Sequence, residues 1–382
     1  MQHPFPATAN PATLVTRVWR EGIGPCVATL RDGDLYDITS RDVPTVRDLM
    51  EMDDPAGYVA KAAGERIGSL DTIAQGSTAD QTGTRLLAPC DLQAIKACGV
   101  TFAESMVERV IEEKAAGDAD AAEAIRAKIK DRIGTSLSGI EPGSPRAMEV
   151  KAVLQSEGLW SQYLEVGIGP DAEVFTKGQP MSAVGYGAAV GLHPVSTWNN
   201  PEPEIVLAVN SRGDIKGATL GNDVNLRDVE GRSALLLGKA KDNNASCAIG
   251  PFLRLFDDTY GLADVASAEL TLRVEGPEGF TLDGHSSMTK ISRKPTDLVA
   301  QTIGAHHQYP DGFMLFLGTL FAPVQDRDTP GQGFTHKMGD VVTISQPHLG
   351  ALSNTVRRSP DCAPWTFGTA ALMRNLAERG LL

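Results

Sequence analysis

The chain reads as mainly β with α: a small β-rich N-terminal domain over residues 1–88, then a larger sheet-dominated domain over residues 89–382. Three observations predict this. Beyond residue 133, short apolar runs alternate with Gly, Pro and Asn turns as far as residue 356, and long stretches with helical spacing are few. The first 88 residues carry strand-like runs of their own around Gly22 and Asp32-Gly33-Asp34. Finally, 382 residues with 42% hydrophobic content suffice for one large core or two smaller ones, since domains of roughly 100 to 200 residues are the norm.

Along the chain, residues 13–18 and 26–36 alternate as short strands, and residues 46–52 follow as a short helix. A polar stretch at 78–89 ends in Leu86-Leu87-Ala88-Pro89, which sets the domain boundary. Residues 104–133 are charged and alanine-rich with apolar residues at helical spacing, and a break at Gly117-Asp118 divides them into two helical pieces. The run Ile205-Val206-Leu207-Ala208-Val209 reads as a strand, and residues 370–379 as a closing helix. No internal repeat or low-complexity tract is present.

Charge and cysteine usage narrow the function. A formal net charge of −13 repels phosphate backbones and anionic lipid, and no Lys/Arg block interrupts it, which argues against nucleic-acid and membrane partners. Cys26, Cys90, Cys98, Cys247 and Cys362 form no CxxC and are odd in number, as expected of reduced thiols in a cytoplasmic protein. The start Met1-Gln2-His3-Pro4 lacks a basic segment followed by an apolar one, and no run approaches about 18 apolar residues. A soluble, unprocessed protein is expected.

One stretch has spacing suited to chemistry. Glu202-Pro203-Glu204 heads the apolar run at 205–209, and in a strand positions i and i+2 share a face, so both carboxylates converge. Like charges held a few ångströms apart favour protonation unless a cation sits between them. Asp223, after an expected turn at Gly221-Asn222, closes the set. Three hard oxygen ligands without clustered His or Cys suit Mg²⁺, Mn²⁺ or Ca²⁺ better than zinc. A Glu-x-Glu pair by itself is commonly a solvated strand edge; here Arg227 and Lys239 follow as cations for an anionic small molecule.

Other motifs carry less. Gly185-Tyr186-Gly187-Ala188-Ala189-Val190-Gly191 has the wrong spacing for a dinucleotide fingerprint, and Pro194 prevents the helix that would follow, so no nicotinamide cofactor is expected. His285, His306 and His307 have no Gly-x-Ser-x-Gly elbow beside them and are expected in hydrogen-bonded or loop positions. Ser286 and Ser287 are candidates to line a substrate pocket.

From about residue 90 onward these motifs resemble those of the fumarylacetoacetate hydrolase superfamily. The resemblance is densest from Pro201 to Pro251, through Glu202-Pro203-Glu204, the Asn-Asp-x-x-x-Arg-Asp pattern at 222–228, and Gly238-Lys239. Phe175-Thr176-Lys177, Gly318-Thr319, Lys337-Met338-Gly339-Asp340 and the run at 352–356 add to it. The resemblance implies a mixed β-sheet/β-roll catalytic domain behind a small β-rich one, a homodimer, and a Mg²⁺ or Mn²⁺ site at Glu202, Glu204 and Asp223. It further implies that Lys239 contacts the substrate's oxygen atoms and Thr319 its carboxylate, with Arg227 near them. Glu230 stands where some relatives have a substrate-binding Gln.

Hydrolytic and decarboxylating members of the superfamily carry Gly-x-Asn-Tyr, then a His and a Glu three residues beyond it. Here the segment is Gly99-Val100-Thr101-Phe102, the His position is Ser105, and Glu108 retains the Glu. Residues i and i+3 share a helix face, so Ser105 and Glu108 can look into one pocket. Without the His, the group that would activate water for carbon–carbon hydrolysis is missing. The resemblance is to the sugar-acid branch, the 2-keto-3-deoxypentonate dehydratases. It implies loss of water from a 2-keto-3-deoxypentonate through a metal-stabilised enolate, with Glu108, oriented by Ser105, as base and the helices at 104–133 as a lid. The product would be 2,5-dioxopentanoate. Hydrolysis of a 2,4-diketo acid or acylpyruvate, and a silent metal-binding paralogue, are the rival expectations.

Overall fold

A computed structural model of the chain describes residues 2–4, 12–116, 118, 121, 140–156, 158, 160–319, 323, 325–328 and 333–382, without the side chains of 103–105, 107 and 112. Its strands form two sheets. In the larger the order is β4 (Glu65–Ser69), β3 (Asp34–Asp37), β2 (Gly24–Arg31), β1 (Leu14–Arg20), β11 (Cys247–Leu255), β10 (Ile215–Asp223), β9 (Pro203–Val209), β14 (Phe313–Phe316), β6 (Ala94–Gly99) and β7 (Glu173–Gly178), with β5 (Arg85–Leu87) beside β1. The smaller runs β13 (Thr281–Ser287), β12 (Glu269–Glu275), β15 (Val341–Gln346), β16 (Gly350–Arg358) and β8 (Ala189–Leu192). Both sheets are open. The fold is sheet-dominated with added helices, as the sequence indicates.

Local chemistry explains the N-terminal elements. Asp32 and Gly33 both take positive φ, 48° and 83°, which a two-residue turn between β2 and β3 requires and Asp-Gly supplies. Thr45 caps the helix Val46–Glu51 by accepting from the Asp48 amide. Strands of the first 88 residues continue the larger sheet, for β1 pairs with β11 at Leu14↔Arg254 and Val15↔Leu253.

Central strands are buried on both faces, and their alternation sorts side chains into two cores. Ile205, Leu207 and Val209 of β9 join a core with Leu272, Val342 and Ile344 of the smaller sheet. Val206 and Ala208 face the other way, onto Val46, Leu49 and Val59 of the helices Val46–Glu51 and Pro55–Lys61.

Two elements differ from the sequence reading. Helices Pro145–Ser156 and Gln162–Ile168 occupy a stretch expected to hold short strands. The apolar stripe of Pro145–Ser156 is thin, three buried residues in twelve, and Gln162–Ile168 spans only seven residues with Gly167 inside it, so helical periodicity is faint in both. They gain stability by packing Val150, Leu154, Leu164 and Ile168 against Met106, Val110 and Ile111 of the helix Ala103–Lys114. That helix is the first of the two pieces expected at 104–133; residues 122–139 lie outside the described residues. No described helix is long and apolar enough to cross a membrane, and all five cysteines are free and buried.

Candidate metal centre and substrate cavity

The acidic trio forms where β9 and β10 lie side by side. Glu204 is opposite Gly221 in the antiparallel register, and the Asp223 amide donates to the Glu202 carbonyl at 3.1 Å. Glu202 and Glu204 have the parity of Val206 and Ala208, while Asp223 has the parity of Gly221, whose open side faces Val206 and Phe316. All three carboxylates therefore sit on one face of the sheet. One oxygen from each lies within 4.8 Å of the others, and all three residues are buried. One detail departs from the sequence reading: Gly221 and Asn222 make no turn but complete β10. Gly221 is needed because a Cβ there would collide with Phe316 and Val206.

Cations from distant parts of the chain close around the trio. Lys241 Nζ lies 3.0 Å from Glu202, 3.2 Å from Asp223 and 3.0 Å from Glu230. Lys177, fully buried in β7, reaches Asp223 at 2.8 Å. Arg109 spans Glu202 at 2.8 Å and Glu230. Glu204 meets none of these; it accepts the Gly318 amide at 2.7 Å.

The electrostatics follow. Burial, reinforced by Asp223 and Glu202, pushes the Glu204 carboxyl well above the usual carboxylate range. Burial also raises Glu202, against the opposing pull of Lys241 and Arg109. For Asp223 burial works the same way, yet Lys177 and Lys241 outweigh it and hold the group below its ordinary value. Lys241 is driven well above the normal lysine range, because Asp223, Glu202 and Glu230 more than offset its desolvation.

The trio opens into a cavity, in part continuous with solvent, whose wall includes Arg109, Glu173, Glu230, Lys241 and Thr319. Five carboxylates, Glu173, Glu202, Glu204, Asp223 and Glu230, face the cations Arg109 and Lys241, with Lys177 directly behind Asp223. The formal excess of two negative charges equals the charge of one divalent ion. Crowded, partly protonation-prone carboxylates with only oxygen donors fit a hard dication, and Glu202, Glu204 and Asp223 would hold it.

The other sequence-predicted residues are distributed unevenly. Thr319 and Glu230 line the cavity. Lys239 does not: it is exposed, and Lys241 takes the place beside the carboxylates. The two are two residues apart in the short helix Leu237–Lys241, about 200° around its axis, so only one can face inward. Arg227 is buried but stacks on Trp198 at 4.5 Å and reaches Glu108 Oε2 at 3.3 Å, outside the cavity wall. Glu108 stands with it, one residue before the cavity-lining Arg109 on the helix Ala103–Lys114. Ser105 belongs to that helix, and its side chain lies outside the described residues. Ser286 and Ser287 sit on β13 in the smaller sheet; Ser286 pairs with Leu270 and Ser287 caps the turn Met288–Lys290, so neither reaches the cavity wall.

Sequence reading overlooked Arg109, Glu173 and Lys241, and gave Lys177 no role. Only Lys177 had a local signal, its place in Phe175-Thr176-Lys177. The others are ordinary surface-type residues until the fold buries them.

Comparison with known proteins agrees with this geometry. The family model of the fumarylacetoacetate hydrolase C-terminal domain matches residues 167–357, half of the chain. A 2-dehydro-3-deoxy-D-arabinonate dehydratase of Saccharolobus solfataricus is 29% identical over 186 residues, 49% of this chain and 59% of that protein. A probable 2-keto-3-deoxyxylonate dehydratase of Haloferax volcanii is 30% identical over 202 residues, 53% of this chain and 66% of that protein. The chain thus spans less than two thirds of either relative's length. Among solved structures, a 2-keto-3-deoxy-D-arabinonate dehydratase complexed with magnesium and 2,5-dioxopentanoate superposes with a TM-score of 0.63 over 90% of this chain and 99% of that one, at 22% identity, a likeness of fold. The matched half contains Glu173 and Lys177 of β7, Glu202 and Glu204 at the head of β9, Asp223 at the end of β10 and Lys241 of the short helix Leu237–Lys241, and the chain belongs to the fumarylacetoacetate hydrolase family.

Proposed function

We propose that the protein dehydrates a 2-keto-3-deoxy sugar acid, a 2-keto-3-deoxypentonate, to 2,5-dioxopentanoate and water, using Mg²⁺ with Mn²⁺ as a substitute. The observation that carries this reading is the buried trio Glu202, Glu204 and Asp223 beside a cavity lined by Arg109, Lys241 and Thr319. The relatives named as sugar-acid dehydratases support it. A divalent ion held by the trio supplies Lewis-acid stabilisation to a 2-oxo acid.

The chain's own residues do the rest. Lys241 and Arg109 present positive charge to an anionic substrate, and Thr319 offers a hydroxyl to its carboxylate. To Glu108, whose carboxylate pairs with Arg227 at 3.3 Å outside the cavity wall, we assign the role of base that removes a C3 proton. No histidine lines the cavity, and position 105 is a serine, so the imidazole that would activate water for carbon–carbon hydrolysis is missing from the wall. The same reading takes the protein to be a cytoplasmic homodimer.

The test is product analysis by NMR in D₂O, with Mg²⁺ and either a 2-keto-3-deoxypentonate or an acylpyruvate. Dioxopentanoate from the first is expected. Pyruvate from the second would establish the hydrolase reading instead, and neither turnover nor C3 deuterium exchange in the first would sink the proposal. Glu108→Gln is expected to lose both C3 exchange and turnover by about 10²- to 10⁴-fold while still binding metal. A near-wild-type rate would mean that the base is another residue.

A further inference from the structure

One carboxylate of the cavity wall outside the trio meets both of the wall's cations. Glu230 closes the one-turn helix Arg227–Glu230, where its amide donates to the Leu226 carbonyl at 3.0 Å and the buried Val229 fixes the turn in the core. The turn carries its side chain back toward the strand ends that bear the trio. Its Oε1 lies 3.0 Å from Lys241 Nζ, and its Oε2 pairs with Arg109. Glu230 and Lys241 are both buried, so solvent and salt screen these contacts little.

The arrangement commits all the positive charge of the wall. Lys241 also faces Glu202 and Asp223, and Arg109 also faces Glu202. Among the described residues no other lysine or arginine lines the cavity, and Lys177 lies behind Asp223. With a dication on the trio, the five carboxylates are balanced by Arg109, Lys177, Lys241 and the ion. A 2-oxo acid then adds one carboxylate, which the ion and Thr319 can receive. A second carboxylate at the far end of the substrate has no such partner. Tyr163, Phe175, Ser233, Ala234 and Leu237 complete that part of the wall without a cation, and like charges in a poorly solvated cavity repel strongly.

We propose that Glu230 is the specificity determinant that restricts the site to monocarboxylic 2-oxo acids and rejects 2-oxo dicarboxylates. It does so by neutralising Arg109 and Lys241, the cations that would otherwise receive a second carboxylate, so that rejection comes from an unpaired charge rather than from lack of room. The assignment rests on the dehydratase reading, in which the trio's ion receives a 2-oxo acid, and it deepens that reading: the far end of the substrate bears hydroxyls, not a carboxylate.

Two five-carbon probes differ only at that end, 2-oxopentanoate with a methyl and 2-oxoglutarate with a carboxylate. Their binding to the Mn²⁺-loaded protein is read by water-proton relaxation, which needs no turnover. The wild type is expected to prefer 2-oxopentanoate by about tenfold or more. Glu230→Gln, nearly the same shape, leaves Arg109 and Lys241 with a charge to offer and is expected to move the preference toward 2-oxoglutarate by about tenfold or more, while Glu230→Asp, which keeps the charge, stays within about threefold of wild type. Because a ratio is read, a general loss of affinity in either variant cancels. Equal binding of the two probes by the wild type, no shift in Glu230→Gln, or the same shift in both variants would overturn the assignment of Glu230. A wild type that shows the preference but forms no dioxopentanoate from a 2-keto-3-deoxypentonate would support the assignment and overturn the dehydratase reading. Binding of neither probe would overturn both.

Discussion

Lys239 and Lys241 show how much one turn of phase decides. The Gly-Lys pattern pointed to the right five-residue helix but to its outward lysine, since so short an element offers too few apolar positions to fix which side is buried. Lys239→Ala is expected to change stability by no more than about 0.5 kcal/mol and to leave turnover unaffected. Lys241→Met removes the charge that faces Glu202, Asp223 and Glu230 at once. Breaking a buried ion pair from one side costs about 3–5 kcal/mol, and urea unfolding of the metal-free variant is expected to show a loss of that order. Equal midpoints for the two variants would refute this placement. Glu108 and Arg227 were legible as functional candidates, but not as each other's partner, because 119 residues separate them in the chain.

Elements carried the clearest message. An apolar run headed by Glu-x-Glu specifies a strand, and a two-residue period puts both carboxylates on one face, which is how β9 holds them. Asp223 was legible as the third member, although its setting was misread. Gly221-Asn222 looks like a turn, whereas the glycine answers a close approach by Phe316 and Val206 across the sheet. Gly221→Ala is therefore expected to cost about 1–3 kcal/mol by overpacking and to weaken Mn²⁺ binding by displacing Asp223 from Glu204. Unchanged stability and affinity would show that the strands have slack here. The helices Pro145–Ser156 and Gln162–Ile168 escaped notice because packing against Met106, Val110 and Ile111 stabilises them more than their own periodicity does.

At the scale of the whole molecule, the net charge of −13 and the crowded trio act in the same direction. Repulsion stored among buried carboxylates is relieved when a dication binds the folded state, so Mg²⁺ or Mn²⁺ is expected to raise the thermal midpoint. At 100 times its dissociation constant the ion contributes about 2.7 kcal/mol, and chelation should reverse the gain. Glu204→Gln, which removes a ligand that no lysine or arginine faces at ion-pair distance, is expected to abolish the response; a midpoint indifferent to metal in the wild type would remove the basis for the site. By itself the sequence determined the sheet-dominated class, the strand bearing Glu202 and Glu204, and an oxygen-only donor set, all of which follow from local spacing and side-chain chemistry. Only the tertiary structure decided which cations balance that set. Arg109, Lys177 and Lys241 come from a helix, a sheet-edge strand and a short helix, and a local period encodes which face a residue occupies but not which distant face it will meet.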